Sequence, residues 1–452
     1  MSLLRRVLSY TSDPEVVARF QKACGIIHAP DPVNLKDENK HNGNISQHPN
    51  GISPDAFPGG KSSLVNGVCS NTGRKMDSEV VDTKSHTNQD SDSQVIHRNG
   101  VVKNHEITDK GKKRAVNGVI RTGTVPFRIE NALLYYVFSF GAQLGNATFY
   151  MLFYSFSFWN FDSYVARRIC LVWCICMYFG QATKDIVRLP RPKSPPVVRL
   201  ETRYELEYGM PSTHAIVGTA IPLSMLIFTS GRYEYSMFIG LLVAVAWCIL
   251  VCLSRIYLGM HNILDVIAGL FFAIVVMTFT VPFVDPVDKF LVTHPLSPLI
   301  LLSLPIILSL LYPKLDKWST ARGDTTLILS ITGGLFLGSW INYNQGFMSP
   351  NDASLPFSLN FQYQAILTAM MRLVSGVAVT LVLHHYMKNT VYASLCFVLS
   401  MDPKDPKTKQ KFIVELPYKY LSYFMIALNT VYTMPLMFYF IGIPRMSYYT
   451  EI

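Results

Sequence analysis

Long apolar runs without formal charge are the feature that most constrains how this chain folds. Residues 131–161 contain no Asp, Glu, Lys or Arg, and several later runs are nearly as apolar. A transmembrane helix needs about 20 consecutive apolar residues, and lipid admits only helices or closed barrels as spanning structures. The alternation typical of barrel strands is absent from these runs. The sequence therefore predicts an all-α, polytopic helical membrane protein.

We predict about nine transmembrane helices. They cover residues 132–157, 166–187, 213–230, 236–254, 261–282, 296–312, 325–342, 363–385 and 420–441. Residues 389–401 are too few to cross a bilayer and are bounded by Pro403, so we predict an interfacial helix there. Arg372 falls inside the eighth span, where a structural polar contact is expected rather than a role in a site.

The first 130 residues differ in composition from the rest of the chain. They hold 18 Lys+Arg and 14 Asp+Glu, whereas residues 131–452 hold only 22 and 16. Residues 1–28 predict one short amphipathic helix that begins near Pro14. Residues 29–125 are rich in Asn, Ser, Asp, Lys and Gly and predict a disordered polar tail. Residues 126–452 then form the multi-span membrane domain.

The net charge of +10 does not indicate nucleic-acid binding. The basic residues lie in the tail and in short loops between apolar runs, not on a soluble domain with interleaved aromatic residues. This distribution favours a membrane surface, or an anionic substrate held close to one. The lipid bilayer is therefore an expected partner, and the sequence leaves the oligomeric state open.

Three clusters of polar residues lie at helix ends that the predicted spans bring to one face. They are Lys184-x6-Arg191-Pro192, Pro211-Ser212-Thr213-His214 and Ser254-Arg255-x5-His261-x3-Asp265. Charged groups at the edge of the bilayer are costly unless they have a partner or a task. Three cations beside two histidines and one carboxylate indicate an anionic ligand. An Arg side chain can bind two phosphate oxygens at once, so phosphate is the expected anion.

The residue types in these clusters predict phosphoryl transfer. His261 and Asp265 are spaced i, i+4, which places both side chains on one helix face. The carboxylate can orient one imidazole nitrogen and leave the other free for nucleophilic attack. His214 can protonate the leaving alkoxide and then activate water. Because Asp265 alone cannot hold magnesium, we predict a phosphohistidine mechanism with no metal and no cofactor.

The same clusters resemble the phosphatidate phosphatase type 2 / vanadium haloperoxidase superfamily. Its pattern is Lys-x6-Arg-Pro, Pro-Ser-Gly-His and Ser-Arg-x5-His-x3-Asp, and this chain departs from it only at Thr213. Within the superfamily, Pro-Ser-Thr-His with about nine spans and a long polar tail resembles the sphingosine 1-phosphate phosphatases. Residues 14–26 also resemble the start of isoform 1 of that family.

This resemblance implies an endoplasmic reticulum enzyme that hydrolyses sphingosine 1-phosphate and related sphingoid base phosphates, with its active site facing the lumen. It implies that His261 is the nucleophile, His214 the general acid and base, and Asp265 the orienting carboxylate. The phosphate-binding residues that it implies are Lys184, Arg191, Ser212, Thr213 and Arg255.

Two other functions stay open at this point. One is the same chemistry on a lysolipid or a sugar phosphate, as in glucose 6-phosphatase, where a narrow polar pocket is expected. The other is a lipid-phosphate transporter or scaffold, which needs the cations but no aligned nucleophile. Tyr204, Glu205 and Glu207 lie in the same loop as Arg191. A solvated loop is the expectation there, and contact with a headgroup amine is the alternative.

Overall fold

Helices dominate the computed structural model, as the apolar runs predict. It describes residues 2–28, 120–122, 125–314, 316–348, 355–358 and 362–451. The described helices are α1 Ser2–Ser12, α2 Pro14–Ala23, α3 Ala132–Gln143, α4 Ala147–Phe156, α5 Ser163–Val187, α6 Thr213–Thr229, α7 Met237–Tyr257, α8 Ile263–Thr293, α9 Ser297–Leu311, α10 Ala321–Asn344, α11 Tyr363–Val398, α12 Phe412–Leu428 and α13 Met434–Phe440. Three strands, β1 Ile26–His28, β2 Ile120–Thr122 and β3 Val125–Ile129, form an antiparallel sheet in the order β1-β3-β2.

Six stretches of the described chain are long and apolar enough to cross a membrane. They are α5, α7, α8, α10, α11 and the continuous segment Phe412–Phe440, in which the π-helical turn Asn429–Thr433 joins α12 to α13. Helices α6 and α9 are apolar but shorter, with 17 and 15 residues. The all-α, multi-pass membrane fold is thereby confirmed, while the count of nine spans stays a prediction.

Helices α5 and α10 form the centre of the bundle. In each of them 78% of the most apolar window is buried inside the protein, compared with 17–22% for α7, α8 and α11. The apolar side chains of those three outer helices therefore face lipid. Because α5 and α10 are the most buried helices and lie together at the centre, their polar groups meet inside the protein.

The first predicted span, residues 132–157, is not one continuous helix. Helix α3 ends at Gln143 and α4 begins only at Ala147, after which a π-helical turn runs from Ser157 to Phe161. A Cβ atom at Gly145 would lie 2.3 Å from Cδ2 of His214, so the bare backbone of the connection passes against that ring. The break therefore brings Gly145 and its neighbours to the end of the bundle that holds His214, called here the site end.

One other predicted boundary is wrong. Residues 389–401 do not form a separate interfacial helix, because α11 continues without interruption to Val398. The helix predicted from Pro14 is α2, and a further helix, α1, precedes it. The carboxylate of Asp13 between the two accepts a hydrogen bond from the N–H of Glu15 at 2.9 Å and so caps α2. Of the tail predicted over residues 29–125, the described residues lie in β2 and at the start of β3; the others lie outside the described part. Arg372 makes the expected structural contact, donating to the carbonyl of Trp159 at 3.2 Å.

The N-terminal segment packs on the site end of the bundle. The buried Gln21 side chain of α2 donates to the carbonyls of Val198 and Tyr257 at 2.7 and 2.8 Å, and it accepts from the N–H of Val198 at 2.9 Å. These three bonds satisfy an amide that would otherwise be costly to bury. Helix α2 is thus fixed against the loop before α6 and the end of α7.

The other end of the bundle is held by a buried ionic cluster. Asp288 of α8 pairs with Arg167 at 2.8 Å and with Arg168 at 2.7 Å, both from α5. Arg167 also donates to the carbonyl of Glu451 at 2.9 Å, and the Glu451 carboxylate accepts from the N–H of Ser163 at 2.6 Å. Paired in this way, charges can stay buried far from the site end.

We expect Asp288→Asn to lower the melting temperature of the detergent-solubilised protein by several degrees. The change leaves Arg167 and Arg168 buried without their shared anion, and breaking a buried pair costs about 3–5 kcal/mol. Asp285→Asn is the matched control, because the Asp285 side chain is 67% exposed although it also pairs with Arg168. Thermal denaturation followed by intrinsic fluorescence compares the two. Equal decreases in melting temperature for the two variants would contradict the prediction that the buried Asp288 pairs stabilise the protein more than the exposed Asp285 pair.

Candidate active site

Four helix ends bring the three predicted clusters together at the site end of the bundle. The clusters lie at the end of α5, the start of α6, the end of α7 and the start of α8. The backbone N–H of Ser212 donates to the carbonyl of Asp265 at 3.0 Å, which joins the second cluster to the third. Lys184 donates to Thr213 at 3.2 Å and joins the first cluster to the second. All eight predicted site residues are buried: Lys184, Arg191, Ser212, Thr213, His214, Arg255, His261 and Asp265.

Glu207 neutralises the two cations of the first cluster. Its Oε2 lies 3.0 Å from Nζ of Lys184 and 3.9 Å from Nη2 of Arg191, and its Oε1 accepts a hydrogen bond from Thr320. Burial opposes ionisation, yet the two positive charges and the hydrogen bonds hold the pKa of Glu207 below its usual value. The expectation of a solvated loop is therefore wrong for Glu207, whose side chain is buried.

Arg255 is the cation with the most unused hydrogen-bonding capacity. Its guanidinium is fully buried, and Nε, Nη1 and Nη2 donate no hydrogen bond of good geometry to any described residue. Its one ion pair there is with Glu201, whose Oε2 lies 3.0 Å from Nη2. Buried polar groups are usually hydrogen-bonded. A buried guanidinium whose N–H groups donate no hydrogen bond is therefore expected to bind an anion with several oxygens.

His261 lies between Arg191 and Asp265. Its Nε2 is 3.1 Å from Nη1 of Arg191, and its Nδ1 is 3.6 Å from Oδ2 of Asp265. The second distance is longer than a hydrogen bond, because Oδ2 accepts instead from the N–H of Asn262 at 2.9 Å. Burial, and then the charges of Arg191, Arg255 and Lys184, hold the pKa of His261 well below its usual value. A neutral ring keeps a lone pair on Nε2, which faces the Arg191 donor in the structure and is the candidate nucleophile.

His214 has a partner that the sequence reasoning missed. Its Nε2 lies 3.2 Å from Oδ1 of Asn146, in the break between α3 and α4. The ring of Tyr204 packs edge-on against His214 with ring centroids 5.4 Å apart. The signal for this contact was the Gly145-Asn146 pair, since Gly and Asn inside an apolar run are typical of a turn.

Ser212 and Thr213 have structural contacts as well as their place in the site. The Ser212 hydroxyl caps α6 by accepting from the N–H of Ala215 at 3.4 Å. The Thr213 hydroxyl accepts from Lys184. Among the residues that the structure describes, no group of three or more His, Cys, Asp or Glu side chains is arranged to hold a metal ion.

A cavity of about 60 Å³ extends from this site into the bundle. Its polar part is formed by Glu207, Thr213, His214 and Asp324, and its apolar part includes Tyr150, Trp173, Met177, Leu327, Ile328 and Ile331. A second cavity of about 30 Å³ shares Tyr150 and Ile331 with the first and continues between α4, α10, α11 and α12. His214 therefore adjoins a small cavity whose wall is partly apolar.

Comparison with known proteins finds relatives over most of the chain. The sequence model of the PAP2 superfamily matches residues 147–288. Sphingosine-1-phosphate phosphatase 1 of Rattus norvegicus is 42% identical over 319 residues, which are 70% of this chain and 74% of that protein. Sphingosine-1-phosphate phosphatase 2 of Homo sapiens is 32% identical over 453 residues, which are 98% of this chain and 100% of that protein. No solved structure matches the chain significantly.

We expect Arg255→Met to weaken the binding of inorganic phosphate by at least about tenfold, because each lost hydrogen bond to a charged group is worth about 1.5–3 kcal/mol. Titration calorimetry on the solubilised protein measures the Kd. Lys193→Met is the control, since Lys193 is an exposed cation in the neighbouring loop. Arg255→Lys keeps the charge opposite Glu201 and should retain part of the affinity. An unchanged Kd in folded Arg255→Met would contradict the anion site.

Proposed function

Since this chain belongs to the sphingosine-1-phosphate phosphatase family, we propose that it is a membrane phosphoric monoester hydrolase acting on sphingosine 1-phosphate and related sphingoid base phosphates. The observation that carries the proposal is the convergence of Lys184, Arg191 and Arg255 around His261, with His214 in the same buried site. The substrate class rests on the names of the relatives, which include a dihydrosphingosine 1-phosphate phosphatase of Schizosaccharomyces pombe, 28% identical over 59% of this chain and 65% of that protein.

The three cations bind the substrate phosphate and stabilise its charge in the transition state. Arg255 contributes the donors that have no acceptor in the described residues, and Arg191 lies beside the reacting nitrogen. The backbone N–H groups at the start of α6 add donors at the positive end of the helix dipole. Ser212 and Thr213 occupy this helix start, which supports their assignment to phosphate binding.

The reaction proceeds in two steps. Nε2 of His261 forms a bond to phosphorus while the bond from phosphorus to the lipid oxygen breaks, and His214 gives its proton to the leaving alkoxide. Water then attacks phosphorus while His214 takes a water proton, so the N–P bond breaks and inorganic phosphate leaves. Asp265 is the proposed orienting carboxylate: its Oδ2 faces Nδ1 of His261 at 3.6 Å, and this role requires the two atoms to come within hydrogen-bond distance when substrate binds. No metal takes part in either step.

The apolar part of the cavity favours a lipid over a sugar phosphate. Trp173, Met177 and Leu327 line the space next to His214, where the first methylene groups of a lipid chain are stabilised by burial. A sugar would place several hydroxyl groups against these side chains without hydrogen-bond partners. A non-catalytic phosphate binder would need Arg255 and Lys184 but no imidazole aligned between a cation and a carboxylate.

We expect His261→Gln to abolish phosphate release from sphingosine 1-phosphate while the lipid still binds, because the nucleophile is lost and the cations remain. Phosphate release by purified protein is measured with EDTA present throughout, and wild-type activity should persist there. His385→Gln is the control, as His385 is exposed on α11. Near-normal turnover of His261→Gln would contradict the nucleophile, and loss of wild-type activity in EDTA that magnesium restores would contradict a metal-free mechanism.

The proposal includes an endoplasmic reticulum location with the active site facing the lumen. His28 of β1 and Ile120 of β2 belong to one sheet, and Ile26 of that sheet packs with Tyr257 at the site end. If the site faces the lumen, we therefore expect Asn44, in the sequon Asn44-Ile-Ser46, to carry a glycan. The Asn44→Gln variant should lack this glycan. Gel mobility after glycosidase treatment measures it. A glycan found only on a sequon inserted at residues 231–236 would place the site on the cytosolic face.

A further inference from the structure

We propose that Glu207, Asp324 and Gln181 form a subsite for the ammonium and hydroxyl groups that neighbour the phosphate of a sphingoid base phosphate. The inference rests on the proposed function and extends it to the origin of headgroup selectivity. In such a substrate the phosphate ester is on carbon 1, the ammonium on carbon 2 and a hydroxyl on carbon 3. Both neighbouring groups are hydrogen-bond donors, and the three side chains offer acceptor oxygens.

The three acceptors line the same cavity as His214. Glu207 comes from the loop before α6, Asp324 from the first turn of α10 and Gln181 from α5, one turn before Lys184. The remaining wall of the cavity is largely apolar. Lys184 contacts Glu207 and Thr213, which both line this cavity. We therefore expect a ligand with its phosphate at Lys184 to place its next carbon atoms among these oxygens.

Gln181 gives an independent indication of a ligand. Its side chain is 4% exposed, and its Oε1 accepts no hydrogen bond from any described residue. A buried carbonyl oxygen without a donor is costly, so such atoms usually have a partner. A hydroxyl or ammonium group of a bound substrate is a suitable donor for this position.

Glu207 changes partners when substrate binds. In the structure its carboxylate neutralises Lys184 at 3.0 Å and faces Arg191 at 3.9 Å. A substrate phosphate takes these cations for itself and brings two negative charges close to Glu207. Two anions in a buried site repel each other strongly, and an ammonium group on the adjacent carbon supplies the missing positive charge.

Asp324 is available to share that ammonium group. Its ion pair among the described residues is with Lys419 at 3.4 Å, and Lys419 is itself shared with Glu415 at 3.3 Å. Asp324 and Glu207 thus approach the cavity from α10 and from the loop that carries Arg191. A phosphate ester without an amine, such as a 1-acylglycerol 3-phosphate, leaves these carboxylates uncompensated and is bound less well.

The test compares kcat/KM for sphingosine 1-phosphate with that for its 2-deamino analogue of equal chain length. We expect the wild type to prefer the amine by at least about tenfold, and Asp324→Asn to lower this ratio by about tenfold, because one of the two carboxylates has lost its charge. Glu205→Gln is the matched control, since Glu205 lies two residues from Glu207 but is 48% exposed and pairs with Arg199. It should keep the wild-type ratio.

Gln181 is tested with the 3-deoxy analogue. Gln181→Leu should lose most of the wild-type preference for the 3-hydroxyl group while keeping its preference for the amine. Glu207→Gln is not informative, because it also removes the counter-charge of Lys184. Equal losses on all substrates in Asp324→Asn and Gln181→Leu would overturn the subsite and assign both side chains to structure.

Binding to His261→Gln separates failure of the subsite from failure of the proposed function. If the wild type releases phosphate from neither lipid, the proposed function is wrong. The Kd values of the two lipids are then measured for His261→Gln and for the double variant with Asp324→Asn. These values still show how much the amine contributes to binding. A Kd ratio above about ten that Asp324→Asn reduces supports the subsite, and a ratio near one overturns it.

Discussion

Burial of positive charge at the end of an apolar bundle is the constraint on which this structure depends. Lys184 and Arg255 are fully buried, and Arg191 is 7% exposed. Unpaired charges at such positions would be strongly destabilising, so counter-ions must be present before any substrate arrives. The loop between α5 and α6 supplies both parts: it carries Arg191, and it also carries the carboxylates of Glu201 and Glu207, which pair with the cations. The same loop therefore supplies one of the three cations and the carboxylates that allow all three to stay buried.

Motif spacing predicted the convergence of the clusters well, because each cluster is attached to the end of a helix whose position follows from its apolar length. It could not predict the burial of Glu207, since a carboxylate in a polar loop is usually solvated. The hydrogen bond from Thr320, 113 residues later in the sequence, is one of the contacts that enclose it. Some predicted helix boundaries were wrong for a related reason. Average apolar composition hid the turn at Gly145 and Asn146, and residues 389–401 contain no Pro or Gly to separate them from α11.

The helices that follow the residues matched by the superfamily model help to form the cavity beside His214, which the sequence did not reveal. The match ends at residue 288, whereas α10 begins at Ala321 and contributes Leu327, Ile328 and Ile331 to the cavity beside His214. Helices α11 and α12 line the second, neighbouring cavity. The wall of the cavity beside His214 is therefore built both by residues inside the match, such as Tyr150, Trp173 and Met177, and by residues of α10 that follow it.

The connection at Gly145 shows how closely the backbone packs against His214. With an ideal Cβ only 2.3 Å from the ring of His214, this position has no room for even a methyl group. A side chain at position 145 is excluded by the imidazole ring of His214 and not by an unusual backbone angle. A glycine in the middle of a long apolar run, easily taken for an incidental interruption, is thus required by the ring that packs against it.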